Sequence, residues 1–410
     1  MSKPVNEIDS LVTIQQLQFS DRKKAEQSLQ RWFALHMHLA TESVTLMPRA
    51  VSLNSFNGFY RSGGEEYFFK THVEEQGVLE EYYHAELLSN AGYNIVKPLR
   101  VLHQKEQQMV IYPVVRWPVM FDLMRAAESG NVEDDGIMAT LVAAETRECE
   151  RLLDIYRATL AASSSEENAL APIHQLFWHR ITGGRFNNFY AGKFIRFPIA
   201  IKEQQSIAFN DLMGARWVIN GVRQQWSLGE LVERARVVLD PKRPGATIIG
   251  HGDAHFGNVF LEQEKHYLYF DPAFAGRHSP LLDVVKPLFH NVFATWMYFP
   301  ADVACDLHFS VSVDRATIVV EHDYTLTPVR RAILRAKIAR LLTPLIEELR
   351  MGDALPEEWP EIMRLALMCC PLLTVNLLDE QRFPPAISWL GLSFAVQMGN
   401  SGIEAWRGNI

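Results

Sequence analysis

His251-Gly252-Asp253-Ala254-His255-Phe256-Gly257-Asn258 sets a carboxylate and an amide along one short loop, and Asp271-Pro272 adds a second carboxylate further on. Phosphoryl transfer to an alcohol needs such a set: a base beside the attacking hydroxyl, and oxygen ligands that hold Mg²⁺ against the nucleotide phosphates. Asp253 has no basic side chain next to it in sequence and lies in a Gly-rich stretch open to a substrate. It is the candidate base, orienting the acceptor hydroxyl and taking its proton. Asn258 offers a carbonyl oxygen to the metal and Asp271 a charged one. His251 and His255 read as supports of the loop backbone.

The elements around the loop must bring these groups to one place. Ala246 to Ile249 is a β-prone run ending at Gly250, Val259 to Glu262 begins a second strand, and Tyr267 to Phe270 returns after a polar turn at Glu264-Lys265. Antiparallel pairing of the last two strands would bring Asn258 and Asp271 to the same end, where they could share one cation.

This segment resembles the catalytic loop of the aminoglycoside phosphotransferase and choline kinase-like branch of the protein-kinase-like fold. That loop reads His-Gly-Asp, then four residues, then Asn, with a metal-binding Asp downstream. Asp253 falls on the catalytic Asp, and Asn258 and Asp271 on the two metal ligands. Gly252 stands where protein kinases usually carry Arg, and Pro272-Ala273 replaces their Phe-Gly, as in small-molecule kinases. Asp283 resembles the later buried Asp that braces the loop from the next helix. The resemblance implies an α+β, bilobal fold: a small antiparallel sheet with a helix as the N-terminal lobe, and a larger, mainly helical C-terminal lobe.

It also implies an upstream nucleotide lobe. Lys70, the one basic residue of the β-prone run Glu66 to Thr71, would meet the α- and β-phosphates. Ser62-Gly63-Gly64-Glu65 reads as a hairpin turn. Leu53 to Gly58 resembles the family's glycine-poor nucleotide loop, with Ser55 and Asn57 as phosphate contacts; an ordinary turn is the alternative. Val78 to Leu88 reads as a helix ending near Gly92, and Glu81 is the expected partner of Lys70, with Glu86 and Glu80 as alternatives. Leu99 to Leu102 and Gln108 to Val115 read as two more strands, the second a hinge whose backbone near Val114 would meet adenine.

Composition sets the frame. The chain has 410 residues, too many for one hydrophobic core to serve well. The expected division is an extension with a helix over 1–43, a nucleotide-binding lobe over 44–115 and a catalytic, acceptor-binding lobe over 116–410. Hydrophobic residues make up 48%, and 40 Lys and Arg against 48 Asp and Glu leave a formal charge of −8, which argues against a nucleic-acid partner. No apolar run reaches membrane-spanning length and no signal pattern opens the chain. A cytoplasmic protein with no membrane partner is therefore expected, its four cysteines being reduced core thiols.

Other segments carry weaker expectations. Residues up to about Ser20 read as polar and loosely ordered, and Asp21 to Thr41 as a helix that packs on the small lobe. Ala161 to Glu167 reads as a flexible connection. Phe177 to Tyr190 combines aromatics, a Gly-Gly turn, and Arg180 and Arg185, either of which could meet an anionic group of the acceptor; a buried helix and turn is the plainer reading. Arg330 to Arg340 reads as a basic helix with a solvated face. Glu357-Glu358 and Asp379-Glu380 read as helix-surface charge, and Phe383 to Val396 as core.

The function expected is an ATP- and Mg²⁺-dependent small-molecule kinase, with GTP as the alternative nucleotide. The acceptor is a sugar, an aminoglycoside-like compound, an amino alcohol or a hydroxy amino acid. The alternative is a pseudokinase, a nucleotide-binding module without turnover.

Overall fold

Ser10 and Asp21 each cap a helix. The computed structural model describes residues 10–47, 55–72, 78–102, 109–129, 135–201 and 204–404. The Ser10 hydroxyl accepts the Thr13 N–H at the start of α1 (Leu11–Ser20), and the Asp21 carboxylate accepts that of Lys24 at the start of α2 (Arg22–His36). Such acceptors satisfy donors that a helix start leaves open. The helix α1 corrects the expectation of a loosely ordered stretch up to Ser20: Leu11 and Ile14 recur at helical spacing and are buried.

The chain divides into two compact units, Met1–Trp117 with Leu268–Ala273, and Pro118–Tyr267 with Phe274–Ile410. In the first, β1 (Ser43–Leu46), β2 (Ser55–Ser62), β3 (Glu65–His72), β4 (Arg100–Leu102) and β5 (Met109–Pro113) form one antiparallel sheet in the order β1-β2-β3-β5-β4. Ser62 pairs with Glu65 across Gly63-Gly64, the two-residue turn whose twist suits a hairpin. On one face of the sheet, Leu29, Trp32 and Phe33 of α2 cluster with Leu46, Phe56, Tyr60, Phe69 and Ile111. The Phe33 and Tyr60 ring centroids are 4.8 Å apart. Helix α3 (Val78–Ala91) stops before Gly92.

The second unit is mainly helical. It begins with α4 (Met120–Glu128), α5 (Asp135–Thr159), β6 (Ala161–Ser163), α6 (Ser165–Ala169), α7 (Trp178–Thr182) and α8 (Arg185–Tyr190). Next come β7 (Phe194–Ile201), β8 (Gln204–Ala208), α9 (Phe209–Met213), β9 (Arg216–Ile219), β10 (Val222–Arg223) and α10 (Leu228–Val238). The strands β11 (Gly245–Gly250), β12 (Val259–Glu262), β13 (His266–Tyr269) and β14 (Gly276–His278) flank the loop of interest, β13 carrying the chain into the first unit. The remainder is α11 (Pro280–Val292), α12 (Thr295–Tyr298), α13 (Pro300–Asp306), β15 (Phe309–Asp314), β16 (Thr317–His322), α14 (Pro328–Lys337), α15 (Thr343–Met351), α16 (Trp359–Leu373) and α17 (Pro385–Ser401). β11 is the middle strand of a three-stranded sheet in the order β14-β11-β6. Helices α16 and α17 are buried along most of their length, as suits helices apolar on nearly every face; α11 is as buried but carries Asp283, Lys286, His290 and Asn291 inside. Antiparallel strands with helices in one unit and a mainly helical second unit make an α+β protein, the expected class. Among the described residues no helix is long and apolar enough to cross a membrane.

Three further expectations are corrected. Ala161 to Glu167 is not a flexible connection: β6 pairs with β11, and Ser164 and Glu167 form a reciprocal capping box on α6. The basic helix is not simply a solvated face. Arg330 and Lys337 are buried on α14, where Arg330 meets Glu128 and the Lys337 ammonium lies 2.6 Å from Glu145. Their carboxylate partners stand far away in sequence, out of reach of a local reading. Cys149, Cys369 and Cys370 are buried free thiols, but Cys305 is exposed on α13.

Candidate active-site residues

Two glycines shape the loop after β11. A side chain at Gly250 would place its Cβ 2.5 Å from Asp283 Cγ, so the strand end touches the first turn of α11 only because it has none. Gly252 has φ 77°, and a Cβ there would fall 2.4 Å from the Phe274 carbonyl oxygen. The Gly252 N–H donates to Asp283 Oδ1 at 2.7 Å, and His278 Nε2 lies 2.9 Å from the same oxygen. Tyr156 donates its hydroxyl to Asp283 Oδ2. Burial pushes the Asp283 carboxyl up, but these partners outweigh it and hold the group below the ordinary carboxylate range.

The rest of the loop is tied down by its own side chains. His251 Nδ1 accepts the Asp253 N–H at 3.4 Å, and His255 Nδ1 accepts the Gly257 N–H at 3.0 Å. Both rings therefore act on backbone, with Nδ1 as the acceptor atom. Asn258 Nδ2 donates to the Asp253 carbonyl at 2.9 Å, and Asn291 Oδ1 on α11 accepts the Phe256 N–H at 2.8 Å.

Asp253 itself is nearly enclosed, its side chain 13% exposed, and Lys286 Nζ stands 3.3 Å from Oδ1 with its own side chain 6% exposed. That contact is an ion pair without the alignment of a hydrogen bond, for Oδ1 is buried and no described donor bonds it. His255 Nε2 lies 3.8 Å away. Burial raises the Asp253 carboxyl, but Lys286, with His255, His251 and Arg180, outweighs it and holds the group below its ordinary range. Burial pushes the Lys286 ammonium down against the opposing pull of Asp253. Beyond Lys286 on the same helix, His290 Nδ1 lies 2.8 Å from the Tyr298 hydroxyl, and burial holds its ring well below the usual imidazole range.

Sequence reading missed Lys286. The available signal was periodicity: it follows Asp283 by one helical step, on the same side of α11. Tyr156 carried no local signal, because helix packing brings it to Asp283, whereas His278 lies only five residues before Asp283.

The first unit holds the other expected residues. Lys70 on β3 reaches Asp271, Nζ to Oδ1 at 2.8 Å. Asp271 has φ 58°, a left-handed conformation that costs a non-glycine residue about 1–3 kcal/mol and often marks a functional position. Its segment is fixed by Tyr269, which donates its N–H to the Asn94 carbonyl and accepts that of Val96, each at 2.8 Å. His84 Nδ1 lies 3.1 Å from the Pro272 carbonyl oxygen.

Ser55 and Asn57 belong to β2, opposite His72 and Lys70, which corrects the loop expected there; Leu53 and Asn54 lie outside the described residues. The Asn57 carbonyl accepts the Met47 N–H at 2.8 Å. Val114 follows β5 and is half-buried. Glu80 and Glu81 lie on α3, but their side chains are outside the described part of the structure, and Glu86 is exposed.

The donor chemistry suits a hard divalent cation. The Asn258 amide nitrogen is committed to the Asp253 carbonyl, which leaves its oxygen for a metal; Asp271, in the first unit, carries a carboxylate of the same oxygen-donor kind. Mg²⁺ takes oxygen ligands of this kind, one or two from protein and the rest from phosphate and water. Among the described residues no group of three or more His, Cys, Asp or Glu could hold a metal by itself. A cavity of about 710 Å³ lies elsewhere in the second unit, lined by Leu160, His174, Arg243, Pro280 and Leu355 among others. Its walls are mainly apolar and include none of Asp253, Asn258 or Lys286. Side-chain chemistry, not concavity, assigns the site.

No protein-family model matches the chain, and no curated protein sequence does. Solved structures similar to it include a thermostable mutant of an aminoglycoside phosphotransferase in ternary complex with ADP and hygromycin B, at 11% identity, covering 91% of this chain and 99% of that one with a TM-score of 0.48. A putative aminoglycoside phosphotransferase from Ralstonia eutropha is similar at 11% identity, covering 92% and 97%, with a TM-score of 0.46. A macrolide 2′-phosphotransferase from Brachybacterium faecium is similar at 14% identity, covering 91% and 97%, with a TM-score of 0.39.

Proposed function

We propose that this chain is an ATP- and Mg²⁺-dependent phosphotransferase that moves the γ-phosphoryl group to a hydroxyl of a small molecule, with Asp253 as the base. The observation that carries the reading is the condition of Asp253: an enclosed carboxylate, kept ionised by Lys286, whose Oδ1 has no aligned donor, on a loop whose backbone is fixed by Asp283, His251, His255 and Asn291. A charged carboxylate on so fixed a loop is suited to orient an alcohol by accepting its hydrogen bond.

A carboxylate below its ordinary range is a weak base. Phosphoryl transfer through a loose transition state tolerates this, because the alcohol proton leaves late and orientation contributes most. The alcohol oxygen attacks the γ-phosphorus, the bond from that phosphorus to the bridging oxygen breaks to release ADP, and the alcohol proton passes to Asp253. Lys70 takes the α- and β-phosphates, oriented by Glu81; Ser55, Asn57 and the backbone near Val114 complete the nucleotide contacts. Asn258 and Asp271 would be the oxygen ligands of Mg²⁺, which when bound would neutralise phosphate charge. A cytoplasmic setting supplies both ATP and Mg²⁺.

Asp253→Asn tests the assignment. Turnover in a coupled ADP-release assay over sugars, amino alcohols, hydroxy amino acids and aminoglycosides should fall by about 10²–10⁴-fold, with nucleotide affinity kept. Near-normal turnover in the variant removes Asp253 from the chemistry. Nucleotide binding by the unaltered chain without ADP from any acceptor favours a binding module.

A further inference from the structure

Arg180 ends α7 and Arg185 begins α8, separated by the Gly183-Gly184 turn. Gly184 adopts φ 99°, and a Cβ at Gly183 would fall 2.4 Å from the His179 carbonyl oxygen, so this tight reversal depends on both glycines. Across the turn the Arg185 charge still acts on Arg180. Arg180 also lies within electrostatic reach of Asp253 and Lys286.

The charges around Arg180 do not balance. Lys286 is matched by Asp253. Among the described residues Arg180 Nε is a buried donor without a hydrogen-bond partner, and Arg185 donates only to the Leu373 carbonyl, at 3.3 Å. Among the described residues no carboxylate forms an ion pair with either arginine. Cys369 and Cys370 lie nearby, but burial pushes both thiols up, Cys370 to about 12, so neither supplies negative charge. Burial, then Arg185, pulls Arg180 down to about 10, which still leaves it cationic at neutral pH. Guanidiniums that no carboxylate pairs favour an anion, and their planar forks match a carboxylate or phosphate. Two acidic residues of the C-terminal region are already paired: Glu358 is 2.8 Å from Arg243 and Glu380 is 2.9 Å from Arg196.

We propose that Arg180 and Arg185, held across the Gly183-Gly184 turn with Arg180 within electrostatic reach of Asp253, form an anion subsite, so that the acceptor alcohol also carries a carboxylate or a phosphate. This rests on the reading of Asp253 as the base on the acceptor side. Hydroxycarboxylates and sugar phosphates fit; polycationic acceptors meet repulsion.

The experiment uses matched probes on the full chain: glycerate against glycerol, and ribose 5-phosphate against ribose, with ethanolamine as the cationic member. Binding is read by calorimetry with Mg²⁺-ADP present, and turnover by ADP release from Mg²⁺-ATP. An anionic probe should bind at least tenfold more tightly than its neutral counterpart, and the glycerate and phosphate arms tell which anion is preferred. R180M should remove that preference while leaving nucleotide affinity unchanged. R185Q, at an exposed position, should reduce it several-fold and covers the case in which R180M does not fold. Equal binding of anionic and neutral probes overturns the inference, as does a loss of nucleotide affinity in both variants. Arginine-dependent anion binding without ADP release supports the subsite and defeats the phosphotransfer reading instead.

Discussion

Lys286 Nζ lies 3.3 Å from Asp253 Oδ1, so a lysine on the helix that braces the loop sets the charge state of the proposed base. Lys286→Met would leave a buried carboxylate without its cation, a change that costs about 3–5 kcal/mol in other proteins. The variant should unfold at lower denaturant concentration, and the acidic limb of its kcat/KM profile should move to higher pH, because the ion that holds Asp253 down is gone. An unmoved limb would separate Lys286 from the base.

Acid stability follows from the two depressed carboxyls. Asp253 and Asp283 both titrate below their ordinary range in the folded chain. A depressed carboxyl contributes stability that is present above its unfolded pKa, about 3.9 for Asp, and lost as pH falls through the folded value. Tm should hold steady from neutral pH to about 4 and then drop. Asp283→Asn should lower Tm at neutral pH and flatten that acid limb; an unchanged limb would mean that other groups carry it.

Asp271→Gly separates stability from binding. Glycine adopts the φ of 58° without strain, which offsets the lost contact with Lys70, a partly exposed pair. Stability without ligand should stay within about 1 kcal/mol of the original. The thermal shift produced by Mg²⁺-ATP should disappear if Asp271 is a metal ligand, and a retained shift would remove it from that role.

Arg330 and Glu128 form a buried pair that also engages Thr327, Thr295 and the Asn291 carbonyl, and Asn291 in turn holds the Phe256 N–H in the loop. Glu128→Leu alone should destabilise by about 3–5 kcal/mol, because it strands a buried guanidinium, whereas Glu128→Leu with Arg330→Met should cost less than that single change. Strict additivity in denaturant melts would count against direct coupling.

The division between local and distant information runs through particular residues. The strand ending at Gly250, the hairpin at Gly63-Gly64, the helix stopping before Gly92 and the loop from His251 to Asn258 were all legible, since turn chemistry and hydrophobic period act over a few neighbours. The capping box at Ser164 and Glu167 is equally local, but its Ala- and Ser-rich surroundings have the composition of a linker.

The sequence by itself determined which atoms are available for chemistry: the Asp253 carboxylate, the Asn258 amide, the Lys70 ammonium, and glycines at positions that tolerate no side chain. Tertiary structure alone decided their state. Lys286 became the counter-ion of Asp253, Asp283 gathered His278, Tyr156 and the Gly252 N–H, and Arg330 was drawn inside to Glu128. The reason is range. Propensity and periodicity are written over a few neighbours, whereas burial and charge pairing depend on residues that only folding brings within a few ångströms.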